Sequence, residues 1–155
     1  MDEADLIMSQ EEIEEFLNEP ITAQLATNGP TIRSVWFEWQ DGAFWIISGP
    51  WAKLFKRIQI DPKVALGIDY SDFDGGRVLQ VNVYGEVEIR DYDVELVRRM
   101  LRRYLGDDEE SWSDAPDDYR GYLRDGGPPG AVLLRLEPSK IMGFNFSYAR
   151  TRAAT

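Results

Sequence analysis

The chain has 155 residues and contains neither cysteine nor histidine, which removes disulfides, thiolate or imidazole metal ligands, cysteine nucleophiles and histidine acid–base catalysis from its own chemistry. Its 28 Asp and Glu outnumber 17 Lys and Arg, and the resulting net charge of -11 opposes attraction to nucleic-acid phosphates and anionic lipid, so neither is an expected partner. With 43% hydrophobic residues and no run of 18 apolar ones, the composition is that of one soluble globular domain that can build its own core.

In chain order, the start MDEADLIMSQEEIEE is acidic and lacks the basic and apolar regions of a secretory signal, so a cytoplasmic location is expected. Ser9 and Glu12 have capping-box spacing and predict a helix over residues 10–18, with Ile13, Phe16 and Leu17 on one face and Pro20 as its stop. ITAQLAT reads as a strand, Asn28-Gly29-Pro30 as a turn and TIRSVWFEWQ as a further strand. Asp41-Gly42 then leads into AFWIIS, a hairpin signal suited to the positive φ angles of a type I′ turn.

Between residues 51 and 60 the period becomes helical: Trp51, Leu54, Phe55 and Ile58 share one side, Lys53, Lys56 and Arg57 the other, and Asp61-Pro62 follows. VALGID predicts a strand, DFDGG a tight loop and RVLQVNVYGEVEIR a long strand in which Gly85 marks a bulge or bend. A helix is expected over residues 91–105, with Val94, Val97, Met100, Leu101, Tyr104 and Leu105 facing the core. Its arginines at 98, 99, 102 and 103 would form a solvated face offset by the acidic segment that follows. Residues 106–130 show little periodicity and read as a mobile or partly helical surface excursion. GAVLLRLEP and a final strand around KIMGFNF complete six or seven strands and three short helices, an α+β pattern with an antiparallel, barrel-like sheet.

Four motifs stand in order along the chain: Pro30-x-x-Arg33-x-Val35-Trp36, then Ile47-Ser48-Gly49-Pro50, then Asp61-Pro62-Lys63-Val64-Ala65-Leu66 after the basic helix, then Gln80-Val81-Asn82-Val83-Tyr84-Gly85-Glu86-Val87. In type and order they resemble the FMN-binding split barrels of the pyridoxamine 5'-phosphate oxidase-like superfamily, over about residues 20–90, with weaker support from LLRLEP and GFNF. The resemblance implies an antiparallel split β-barrel with short peripheral helices, residues 1–155 forming a single domain. It also implies a homodimer with FMN, or the deazaflavin coenzyme F-420, at the subunit interface, and hydride transfer to or from a small organic substrate. By the same resemblance Arg33 and Lys53 hold the phosphate, Ser48 assists, Val35, Trp36 and Ile47 line the ring pocket, and Gln80 bonds the ring edge.

Such a ligand needs guanidinium or ammonium groups for a dianionic phosphate and an apolar slot with a few polar anchors. Two positions depart from the family pattern: an adjacent Arg-Lys pair is Lys53-Leu54 here, and a Lys beyond the Val-aromatic pair is Glu38. Either Lys56 or Arg57 replaces the missing cation, or the phosphate differs, or the chain is a non-enzymatic flavin-binding or cofactor-free dimeric module. No catalytic residue is assigned, and a hydroxyl such as Tyr84 is one candidate proton source. The bland readings are a solvated Arg33, a wet helix face for Lys53, Lys56 and Arg57, and core or interface for Trp36, Phe37, Trp39, Phe44, Trp45 and Trp51. Asp72, Asp74 and Gly75 imitate part of a calcium loop, but its first and twelfth positions are Tyr70 and Val81, so no metal is expected. An oligonucleotide-binding barrel would need a basic groove, which the acidity opposes.

Overall fold

The structure is a computed structural model and describes residues 3–114 and 118–149. Its elements are α1 (Gln10–Leu17), β1 (Ala23–Thr27), β2 (Thr31–Val35), β3 (Glu38–Gln40), β4 (Ala43–Ser48), α2 (Lys53–Ile60), β5 (Lys63–Asp72), β6 (Arg77–Asp91), α3 (Val94–Leu105) and β7 (Val132–Asn145). Short 3-10 helices span Glu3–Leu6, Glu109–Asp114 and Tyr119–Leu123. The strands form one antiparallel sheet in the order β2-β1-β5-β6-β7-β4-β3.

That order explains the split barrel. The segment TIRSVWFEWQ, expected as one strand, breaks at Trp36 and Phe37, because β2 and β3 are the opposite edges of the sheet. Three Cα steps separate Val35 from Glu38, so the two edges come within about 11 Å of each other there. The sheet must curl for this to happen, and the gap between its edges is the split.

Local chemistry sets the bends. Asp41 and Gly42 both have positive φ, 54° and 72°, as the hairpin signal required. The β6–β7 register shifts between Tyr84 and Gly85, so the expected bulge is present. A Cβ on Gly85 would stand 2.9 Å from the Glu137 carbonyl oxygen, which is why the bulge carries glycine. The capping box on α1 forms in both directions, Ser9 Oγ accepting from Glu12 N and Glu12 Oε1 accepting from Ser9 N.

The barrel interior holds Leu25, Phe37, Phe44, Leu66, Ile68 and Val81, and Ile13, Phe16 and Leu17 of α1 and Leu54 and Ile58 of α2 belong to the same buried cluster. A second apolar layer joins α3 to the outside of the barrel wall through Leu96, Val97, Met100, Leu101, Trp112 and Leu133. β4 serves both layers by alternation: Phe44 and Ile46 face the interior, whereas Trp45 and Ile47 face α3.

Three expectations are revised. α3 starts at Val94 because the Asp93 side chain caps it, accepting from Glu95 N and Leu96 N, and Leu96 rather than Val94 is buried. The C-terminal segments merge into the single strand β7. Part of the acidic excursion is packed structure: Trp112 is buried in the α3 layer and donates its indole N–H to the Gly106 carbonyl at 3.1 Å.

Candidate functional site

A cavity of about 530 Å³ opens at the split. Five residues singled out by sequence meet on its walls: Arg33 and Val35 of β2, Trp36 at the strand break, and Ile47 and Ser48 of β4. Edge strand β2 and penultimate strand β4 are far apart in the sheet order, and the curl alone brings them together. Ser48 is 2% exposed, and its Oγ has no hydrogen-bond partner among the described residues. A buried hydroxyl left unpaired costs roughly 1–3 kcal/mol, so its presence on a cavity wall points to a polar ligand group that completes it.

A second hollow of about 250 Å³ shares Arg33 and Leu54 with the first and adds Lys53 and Arg57. None of these three cations has an ion-pair partner among the described residues. Lys56, one turn further round α2, lines neither hollow. Of the two possible replacements for the missing cation, only Arg57 therefore shares a hollow with Arg33 and Lys53. The first turn of α2 also lies here, and Ala52 at its N-cap makes no side-chain capping bond to the helix amides.

Gln80 is placed elsewhere. It sits on the outer face of β6, in a separate hollow of about 290 Å³ with Gln24, Gly67 and Asn82, and its amide donates to Asn82 Oδ1 at 3.4 Å. Tyr84 lies on that face too, 48% exposed and away from the cavity. A single chain does not bring either residue to Arg33 and Ser48.

Glu38 does not oppose an anion in the cavity, because it points into the protein. It is 4% exposed and pairs with Arg103 at 3.3 Å, while Arg103 also donates to the Phe37 carbonyl. Burial pushes the Glu38 carboxyl above the ordinary range, and the Arg103 and Arg99 guanidinium groups oppose that shift. The arginine face of α3 is consequently mixed. Arg98 and Arg102 pair with Glu109 of the acidic excursion as expected, but Arg103 turns inward.

Sequence reasoning missed the far wall of the cavity. Met100 and Leu101 of α3 and Tyr119 and Tyr122 of the excursion line it. Trp36 stacks with Tyr104 at 4.6 Å between centroids and with Tyr119 at 5.6 Å, and Tyr119 stacks with Tyr122 at 5.9 Å. The legible signal was small: Asp118 as an N-cap, with two tyrosines three residues apart on one short turn. The Arg120 guanidinium holds the Asp118 carboxyl down at about 2.

Among the described residues no helix is long and apolar enough to cross a membrane. No curated protein matches the chain. Among solved structures, the fold is shared by a conserved hypothetical protein of Mycobacterium tuberculosis, at 20% identity and a TM-score of 0.70, covering 100% of this chain and 98% of that one. It is shared also by a FAD-binding protein of Mesorhizobium loti, at 18% identity and a TM-score of 0.62 over 92% and 96% of the two chains. An F-420 reductase is similar as well, at 20% identity and a TM-score of 0.56 over 83% and 94%. The family model described as pyridoxamine 5'-phosphate oxidase matches residues 9–142, from the cap of α1 almost to the end of β7. On that match, and with the curled seven-stranded sheet it spans, the chain belongs to the pyridoxamine 5'-phosphate oxidase family.

Proposed function

We propose that this chain is a cytoplasmic, flavin-nucleotide-binding oxidoreductase that uses FMN and acts, as one domain, in a homodimer. The observation that carries the reading is the buried Ser48 Oγ, without a hydrogen-bond partner among the described residues, on the wall of a cavity that shares Arg33 and Leu54 with a hollow lined also by Lys53 and Arg57. A phosphate dianion suits three guanidinium and ammonium groups beside the uncapped amides at the start of α2, where the helix dipole adds further attraction. Val35 and Ile47 offer the apolar slot, and a cavity of about 530 Å³ is of ordinary size for a cofactor or small-molecule site.

When bound, the flavin ring supplies the hydride chemistry. The protein's part is to bind, orient and keep water out. Ile46, Met100 and Leu101 make the inner walls apolar, and Ser48 Oγ fixes one polar atom of the ligand. Gln80 reaches the ring edge only from a second copy of the chain, seated on the outer sheet face that carries Gln24, Asn82 and Tyr84. The same cavity suits the deazaflavin ring of F-420, and the presence of an F-420 reductase among the structural relatives makes that coenzyme the second arm of the test.

The test is a titration of the purified chain with FMN and, separately, F-420, followed by ligand fluorescence. Binding of FMN is expected. Joint replacement Arg33→Ala and Lys53→Ala should weaken it by at least about a hundredfold, since each lost charge-assisted bond is worth about 1.5–3 kcal/mol. Binding of F-420 in place of FMN would change the cofactor; binding of neither would overturn the reading.

A further inference from the structure

We propose that the Tyr119–Leu123 turn is the specificity element of this site, its two tyrosines forming the wall against which a flat, conjugated and uncharged substrate lies. The inference rests on the flavin reading above, because it places the substrate beside the flavin ring, on the side of the cavity that Tyr119 and Tyr122 line.

Tyr119 and Tyr122 line the same cavity as Arg33 and Ser48, although they come from a segment whose sequence is acidic and aperiodic. Their rings continue a ladder from Trp36, with neighbouring rings inclined by 28° and 26°. The ladder is held in place before any ligand arrives. Tyr92 donates its hydroxyl to the Tyr122 carbonyl at 2.5 Å, the Asp118 side chain accepts from Arg120 N at 3.1 Å, and buried Trp112 anchors the excursion on α3. Rings fixed in this way bind a flat partner with little further loss of side-chain entropy.

The charge of the walls narrows the class. Arg33 is the one charged residue lining the cavity among the described residues, and in the flavin reading the cofactor phosphate engages it. Among the described residues no carboxylate lines the cavity, so a cationic substrate finds no partner among them. An anionic substrate must approach against a net charge of -11 with Arg33 already paired. A neutral conjugated ring meets neither obstacle and gains the stacking surface.

The experiment uses the full chain saturated with FMN and measures, by calorimetry, binding of four probes: 2-naphthol, 2-naphthoate, 2-naphthylmethylammonium and cyclohexanol. Naphthol should bind tightest of the four. Tyr119→Leu and Tyr122→Leu should each weaken naphthol binding roughly three- to tenfold, while Tyr119→Phe retains it and FMN affinity stays the same in all three. Unchanged naphthol affinity in both leucine variants, equal loss in Tyr119→Phe, tighter binding of the naphthoate, the ammonium or cyclohexanol, or no naphthol binding by the wild type would each overturn the proposal.

If a leucine variant fails to fold, magnetisation transfer in the wild type decides: transfer between naphthol and the Tyr119 and Tyr122 rings upholds the wall, and its absence rejects it. The two readings fail separately. If the chain takes no FMN, the naphthol series is run without it; loss of affinity in the leucine variants then keeps the wall and rejects the cofactor, whereas no loss rejects both.

Discussion

Glu38 shows how one residue can reverse its apparent meaning. In the linear pattern it stands where a cation is common in the family, yet its carboxylate is buried against Arg103, with Glu38 Oε2 and Arg103 Nε both lacking a partner among the described residues. Glu38→Ala leaves a guanidinium that is only 14% exposed without its counter-charge, and should cost about 3 kcal/mol in urea unfolding. The double change Glu38→Leu with Arg103→Met should recover most of that loss, because desolvating the pair opposes much of its attraction. The pH dependence has a definite sign. Since the folded-state pKa of Glu38 lies above 4.5, its favourable contribution is full below that value and is lost as pH rises through the raised pKa. Asp118 behaves in the opposite way: held down at about 2 by Arg120, it supports the Tyr119–Leu123 turn above pH 3.8 and loses that support as pH falls toward 2. Near-ultraviolet circular dichroism of the Trp36–Tyr119 stack should therefore weaken on acidification across that window, and Asp118→Asn should abolish the change.

Among the elements, β6 and β7 form the longest paired ladder of the sheet, and its register shift falls at Gly85. A side chain there meets both the Glu137 carbonyl oxygen and Leu136 Cδ1 at 2.9 Å, and the backbone across the bulge has little room to yield. Gly85→Val should destabilise the chain by about 2–3 kcal/mol and Gly85→Ala by less, measured as a fall in urea midpoint without a change in slope. α3 has a different duty. Its buried face joins the outer layer to the barrel, Met100 and Leu101 floor the cavity, and Tyr104 ties the helix to the strand break by donating to the Ile21 carbonyl at 2.7 Å and accepting from Phe37 N at 3.2 Å. Helix, strand break and aromatic ladder thus form one packed unit around the split.

At the scale of the whole molecule, the two halves of the proposed site lie on different surfaces. Arg33, Ser48 and Lys53 belong to the split, while Gln80 belongs to the outer sheet face beside Asn82 and half-exposed Tyr84. Only pairing of two chains through that face can unite them. Sedimentation should accordingly give twice the mass of the 17.8 kDa chain. Tyr84→Asp should shift the protein toward monomer and weaken FMN binding together, although Tyr84 lines no part of the cavity. Loss of the dimer with unchanged FMN affinity would instead show each site to be complete within one chain.

The features legible in the linear chain are those set by near neighbours. Alternation marked the strands, helical spacing marked α1, α2 and α3, and the φ > 0 demands of Asp41-Gly42 and the bulge at Gly85 appeared directly in residue type. The grouping of Arg33, Val35, Trp36, Ile47 and Ser48 was also readable, but through the resemblance of their motifs to a known family rather than through any local rule. Folding alone decided that TIRSVWFEWQ would divide between the two sheet edges, that Glu38 would meet Arg103 across 65 positions, and that Arg57 rather than Lys56 would turn toward Arg33. It likewise decided that Tyr119 and Tyr122 would reach the cavity and that Gln80 would not. Each of these depends on how far the sheet curls and where α3 docks, which are properties of the packed whole that no window of a few residues contains.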